Sequence, residues 1–232
     1  GDQLVPDLDQ RTQNTADTGA WLINLISYYR NATNLFICPT TTTPNPVTTG
    51  NTIAGDVLTP WASQLPRAAR TVDGVTYNPA YYFGGYGYNG WCFSDKLGDG
   101  SGTPANYFVK ESAIKRAAIT PVFYDQTWTD CWPTEAGHPD QDLYGVPGTT
   151  LPTGGVGANS FNRLTKARHG SGGGVKAPKS FSGNAATLPG AINMGFADGH
   201  SETVKLMHLW DYSWHAQWRP TSVPDPTTLT AN

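Results

Sequence analysis

Ile192-Asn193-Met194-Gly195-Phe196-Ala197-Asp198-Gly199-His200 carries the clearest structural signal in the chain. Ile192, Met194 and Phe196 alternate with Asn193, Gly195 and Ala197, the two-residue period of a strand with one buried face. Asp198-Gly199 is a strong turn dipeptide, and Val204 and Leu206 lie on the return path. A strict two-residue turn would set Phe196 opposite Ser201 and Met194 opposite Thr203. It would also send Val204 and Leu206 to the face away from Ile192, Met194 and Phe196. One slip of register flips every side chain. The pattern therefore predicts an odd loop, residues 198–200, pairing Met194 with Val204 and Ile192 with Leu206, or else a bulge.

Downstream, Leu206, Leu209, Trp210, Ser213, Trp214 and Trp218 follow helical spacing, predicting a short helix or helical turn with three Trp on one face. Pro220 ends it, and residues 219–232 read as an extended tail. Upstream, residues 1–16 read as a polar lead-in, and Asp17 or Thr18 as an N-cap. Trp21, Leu22, Leu25, Ile26 and Tyr29 then form one apolar helical stripe. Leu35-Phe36-Ile37-Cys38 reads as a short buried extended piece stopped by Pro39, and Val122–Asp125 as a strand whose end carries an acid. Long Gly/Pro/Thr tracts at 40–60, 133–160 and 170–190 read as loops. No internal repeat or composition shift divides the chain, so residues 1–232 are expected to form a single domain.

Composition narrows the function. Charged residues make up 14% of the chain and the net charge is −3, which gives no basic footprint for nucleic acid. With 26 Gly and 18 Pro the chain is loop-rich, yet 8 Trp, 11 Tyr and 8 Phe demand a buried core. Three cysteines form neither a dense disulfide framework nor a Cys-x-x-Cys metal motif. No apolar run reaches the ~18–20 residues of a membrane span. The start at Gly1-Asp2-Gln3 reads as a processed or trimmed terminus.

Several blocks, in order, resemble the globular region of the pseudopilin-like proteins of type II secretion. They are Trp21 to Tyr29, Phe36-Ile37-Cys38-Pro39, Tyr86-Gly87-Tyr88-Asn89-Gly90-Trp91 and Thr120-Pro121-Val122-Phe123-Tyr124-Asp125. Arg168-His169 and Gly195-Phe196-Ala197-Asp198-Gly199 follow, with Leu209-Trp210, Trp214 and His215 resembling a subgroup's closing motif. The resemblance implies an α+β, pilin-like fold: an N-terminal helix packed on a small antiparallel sheet, loop-rich, with a C-terminal Trp-rich helical segment. It implies a non-catalytic structural subunit of a pseudopilus or type IV pilin-like filament, self-associating and meeting other pseudopilins. Such a subunit is extracytoplasmic, in the periplasm or at the cell surface, and is anchored in the inner membrane before assembly. The family's long apolar N-terminal helix, its membrane contact, does not occur in this sequence. The 28 residues between His169 and Asp198 exceed the family's usual spacing, which marks 170–190 as an insertion.

His169 with Asp198 resembles an acid–base pair, but no Gly-x-Ser-x-Gly elbow supplies a nucleophile. The structural expectation is that His169 bonds backbone at the hairpin tip while Asp198 and Gly199 close the turn. The five histidines (His138, His169, His200, His208 and His215) show no His-Glu-x-x-His spacing for zinc. Asp95 and Asp99, in a Gly-rich loop, are the better metal candidates, with calcium as the ion; Asp140-Gln141-Asp142 is a second such place. The alternative function is a secreted carbohydrate-binding module stacking sugars on Tyr86, Tyr88 and Trp91, although core packing is the expected use of that cluster. Cys38 sits at the family's Cys-Pro step, whereas Cys92 and Cys131 are additions beside Trp. Of the three pairings, Cys92–Cys131 is the expected bridge, which leaves Cys38 a buried thiol.

Overall fold

The computed structural model describes residues 21–26, 28–30, 32–46, 52–65, 69–72, 75–93, 104–148 and 161–219. Its strands are β1 (Thr52–Ile53), β2 (Trp61–Leu65), β3 (Arg70–Val72), β4 (Val75–Tyr77), β5 (Ala80–Gly84), β6 (Tyr86–Asn89), β7 (Pro121–Asp125), β8 (Asp130–Cys131), β9 (Ala191–Phe196) and β10 (Ser201–Lys205). Two short α-helices, α1 (Trp21–Ile26) and α2 (Phe161–Leu164), and a set of 3-10 turns complete the described chain.

The central sheet runs in the order β10-β9-β7-β6-β8. It is mixed: β8 lies parallel to β6, with Tyr88 opposite Asp130, and the other pairs are antiparallel. A second sheet has the order β1-β2-β5, and β3 and β4 form a hairpin.

This architecture corrects the pilin-like expectation. The described helices span six and four residues, and the molecule is sheet-rich rather than a helix packed on a small antiparallel sheet. The physical reason is strand pairing: the alternating apolar residues of β7 and β9 build a five-stranded sheet that carries the main cores. Among the described residues the stripe from Trp21 gives the helical residues Trp21–Ile26, and Tyr28 bonds back to Leu25 in a turn. Its anchoring is aromatic: Trp21 lies against Phe123 and Tyr88, ring centroids 5.3 and 6.1 Å apart. The expected N-cap at Asp17 or Thr18 falls outside the described residues. The closing segment is a 3-10 helix, Leu206–Asp211, and the Trp210, Trp214 and Trp218 that follow its start are all buried.

The β9–β10 hairpin has an odd loop, as the alternation requires, but one pair away from the expected register. Val204 faces Ile192, and Met194 faces Glu202 rather than Val204. The loop is 197–199, because Phe196 N–H donates to the His200 carbonyl and Gly199 takes φ +91°. A glycine at positive φ is what three-residue hairpin loops use. Parity is preserved, so Ile192, Met194, Phe196, Val204 and Leu206 share one buried cluster.

The central sheet separates two cores. Tyr124 of β7 joins a mixed aliphatic and aromatic cluster with Phe161, Leu164, Trp210 and Trp214, while its neighbour Phe123 packs against the aromatic cluster of Trp21, Trp61, Tyr88, Trp91 and Trp132. The 170–190 loop is folded down: Ala177, Ala185 and Leu188 are buried in the first cluster. Its backbone is pinned where Leu143 N–H donates to Pro178 and Phe181 N–H donates to Gln141.

Candidate functional site

Arg168 and His169 lie where the chain leaves the first core and meets the start of β9. His169 forms an antiparallel bridge with Ala191: its N–H donates to the Ala191 carbonyl at 2.8 Å, and its carbonyl accepts the Ala191 N–H at 2.7 Å. Gly170 follows at φ +75°, and a Cβ there would lie 3.1 Å from that of Ala191. The His-Gly step is thus the turn that brings the imidazole inward.

The bridge places His169 at the base of the hairpin, not at its tip. Phe196 ends β9 five residues along from Ala191, about 17 Å at the usual rise per strand residue, and Asp198 lies beyond it in the turn. The expected association of His169 with the tip is therefore corrected. Asp198 instead accepts from the His200 backbone at 3.1 Å and pairs with the His200 ring at 2.6 Å, while that ring stacks on Phe196. Asp198 and Gly199 do close the turn.

The partner of His169 is Asp125, the acid at the end of β7. The His169 Nε2 lies 3.0 Å from Asp125 Oδ2, 3.4 Å from Cys38 Sγ and 3.0 Å from Asn193 Nδ2. Asp125 is 1% exposed. Its Oδ2 also accepts the Asn193 N–H at 2.7 Å, and its Oδ1 faces the Arg168 guanidinium at 3.2 Å. Arg168, itself buried, donates as well to the carbonyls of Gly85, Asp56 and Gln126. Gly85 N–H in turn donates to Phe36, two residues before Cys38.

These contacts set the charges. Burial alone would raise the Asp125 carboxyl, but the hydrogen bond from His169, the Arg168 charge and the Asn193 amide outweigh it and hold the group below its ordinary range. The same Asp125 hydrogen bond, with help from Cys38 and against burial, raises His169 to about 9. Burial, followed by the field of Cys38, pushes the Tyr86 phenol up.

Cysteine, histidine and aspartate are the members of a nucleophilic triad, but the geometry here is not that of a relay. A relay needs the nucleophile on one ring nitrogen and the carboxylate on the other. Cys38 and Asp125 both meet Nε2. Three ligand-type atoms within 4.8 Å of one another instead form a convergent cluster, the one such group among the described residues.

The remaining candidates fall elsewhere. Asp95 and Asp99 lie outside the described residues. Asp140 takes the Lys166 ammonium, and Asp142 Oδ1 accepts the N–H groups of Tyr144 and Gly145, so both serve local structure. Tyr88 and Trp91 are core residues at 1% and 0% exposure, and Tyr86 is half-buried, so the cluster presents no broad face for a sugar. The expected Cys92–Cys131 bridge is not formed: all three cysteines are free and buried. Cys131 Sγ lies 3.1 Å from the Tyr124 hydroxyl, and burial pushes its thiol up to about 12. Cys92 instead packs in the aromatic cluster. His208 pairs with Asp211 on the surface; His215 pairs with Glu135 and is lowered chiefly by burial.

Asp125 and Asn193 were not read as partners of His169 in the sequence. The usable signals were an acid ending a predicted strand and a lone polar residue in the alternation of β9. Compared with protein-family models, with curated proteins and with solved structures, the chain matches none of them.

Proposed function

We propose that this chain is the globular region of an exported, non-catalytic subunit that assembles into a pseudopilin-like filament. The observation that carries the reading is convergence. Three of the separate blocks on which the resemblance rests supply one buried polar knot, with Cys38, Asp125 and Arg168-His169, and it is closed by the Gly85 carbonyl and Asn193, which stand just outside two other blocks. Asn89 of the Tyr-Gly-Tyr-Asn-Gly-Trp block does the same nearby. Its side chain donates to the carbonyls of Pro121 and Trp214, each at 2.8 Å, and accepts the Trp91 N–H.

Motif residues spent on fastening strands together are what a scaffold subunit needs, since neighbouring subunits read its surface and its interior has only to stay rigid. The reading does not require a pilin-like helix-on-sheet core. It requires an apolar helix ahead of this region to supply the filament axis. The test is to fuse a prepilin-type leader and an apolar helix of ~20 residues before Gly1, and to express the product in a host with a pseudopilus assembly machinery. Electron microscopy is expected to show filaments that carry the domain. A fusion that folds and is processed but stays dispersed would overturn the proposal.

A further inference from the structure

We propose that Cys38, Asp125 and His169 form a zinc site that fastens three separate segments of the chain. The inference stands apart from the filament reading, because it concerns what the cluster binds and not what the domain assembles with.

Ligand chemistry comes first. A thiolate, an imidazole nitrogen and a carboxylate oxygen are the donor types zinc takes, at ~2.3 Å from sulfur and ~2.0–2.2 Å from nitrogen and oxygen. Calcium and magnesium, which want oxygen donors throughout, do not suit a set with sulfur and imidazole. The spacing fits as well. The 3.4 Å between Cys38 Sγ and His169 Nε2, and the 3.0 Å between His169 Nε2 and Asp125 Oδ2, are separations two donors keep around one ion. At zinc bond lengths they subtend roughly 100° and 95°, near the tetrahedral value.

The surroundings are those of a supported site. Asp125 has two oxygens with different duties: Oδ1 is held by Arg168, while Oδ2 turns to the cluster. A ligating carboxylate braced by an outer hydrogen bond is the usual arrangement around zinc. Cys38 and Asp125 are closed off from solvent, whereas the His169 side chain is 18% exposed, which leaves an approach on that side. The Asn193 amide nitrogen lies 3.0 Å from Nε2 while its oxygen accepts the Thr203 hydroxyl, so a water would fill the fourth position. The three ligands come from the loop after Phe36, from the end of β7 and from the bridge to β9. An ion there would cross-link residues up to 131 apart in sequence.

The full 232-residue chain, stripped of metal and kept reduced, is titrated with cobalt(II) and then zinc(II). The expected result is one cobalt per chain, with a thiolate-to-cobalt charge-transfer band in the near ultraviolet that zinc abolishes on displacing it. Cys38→Ser is expected to remove the band, and His169→Gln to weaken zinc at least tenfold; Cys92→Ser, whose thiol lies in the aromatic core, is expected to leave both unchanged. Near-ultraviolet circular dichroism checks that each variant folds. Should the Cys38 variant not fold, zinc-edge absorption on the wild-type protein decides the matter. A first shell with one sulfur and the rest nitrogen or oxygen supports the site. A wild-type chain without the charge-transfer band, a band that survives Cys38→Ser in a folded variant, or a shell without sulfur overturns it.

Discussion

Replacing Arg168 by Met keeps much of the aliphatic stem and deletes the guanidinium, which leaves two kinds of loss. Asp125 keeps His169 and the Asn193 amide but loses the cation on Oδ1. The carbonyls of Asp56 and Gln126 lose the guanidinium donor, whereas Gly85 still accepts the Gln126 N–H. Breaking one side of a buried ion pair costs ~3–5 kcal/mol, and each carbonyl left buried without a donor costs ~1–3 kcal/mol. The two figures overlap, because the first already contains the desolvation of groups left behind. A loss of about 4 kcal/mol is therefore expected, a large share of the ~5–15 kcal/mol that holds a domain together. Urea unfolding followed by tryptophan fluorescence measures it, with eight Trp as reporters. The midpoint should fall while the slope stays constant. Asp125→Asn, alone and combined with Arg168→Met, completes a double-mutant cycle, and the pair should show a coupling of at least ~1 kcal/mol. A loss below ~1 kcal/mol for Arg168→Met, or additive losses in the cycle, would refute the view that this pair is the fastening of the fold.

Other outcomes follow from the same geometry. In metal-free protein, His169 has its pKa raised from 6.5 to about 9, first by the Asp125 hydrogen bond. Its stabilisation is fully present below pH 6.5 and is lost as pH rises through about 9, so the urea midpoint should decline across that window. His169→Gln should remove that component of the decline, and an unchanged pH profile would count against the ion pair. Gly90→Ala would push a Cβ to 2.2 Å from the buried Trp132 ring, so a loss of at least ~1–3 kcal/mol is expected by thermal or urea melting. Trp210→Ala removes a buried ring stacked on Phe161 at 4.4 Å and should cost ~3–5 kcal/mol in the same assay. A shift of less than ~1 kcal/mol would mean that the first core tolerates the cavity.

How much was legible depended on the range of the signal. Strand β7 is legible as Val122–Asp125 and runs Pro121–Asp125, because its apolar run and its flanking residues are local. The odd hairpin loop followed from alternation, a property of the strands themselves. Its register turns on Gly199: a loop of 197–199 puts that glycine, at φ +91°, in the last position, where three-residue loops take positive φ, and the Phe196–His200 bond closes it. The Trp stripe was legible as apolar spacing, yet spacing alone did not distinguish an α-helix from the 3-10 turn that forms. The stripe at Trp21 is legible as helical spacing, and the described residues Trp21–Ile26 are helical, but that the molecule is organised by its sheets depends on long-range strand pairing.

By itself, then, the amino-acid order determined the local grammar: which segments alternate, where the hairpin turns and which rings must leave water. The tertiary structure alone decided its partner. Asp198 lies closer to His169 in sequence than Asp125 does, yet the bridge to Ala191 and the pairing of β7 with β9 bring Asp125 to the imidazole and carry Asp198 to the far end of the hairpin. Cys38 arrives from 131 residues away. Sequence separation does not measure distance across a sheet, because strands far apart in the chain lie about 5 Å apart once paired. A buried carboxylate takes the cations that the folded chain delivers.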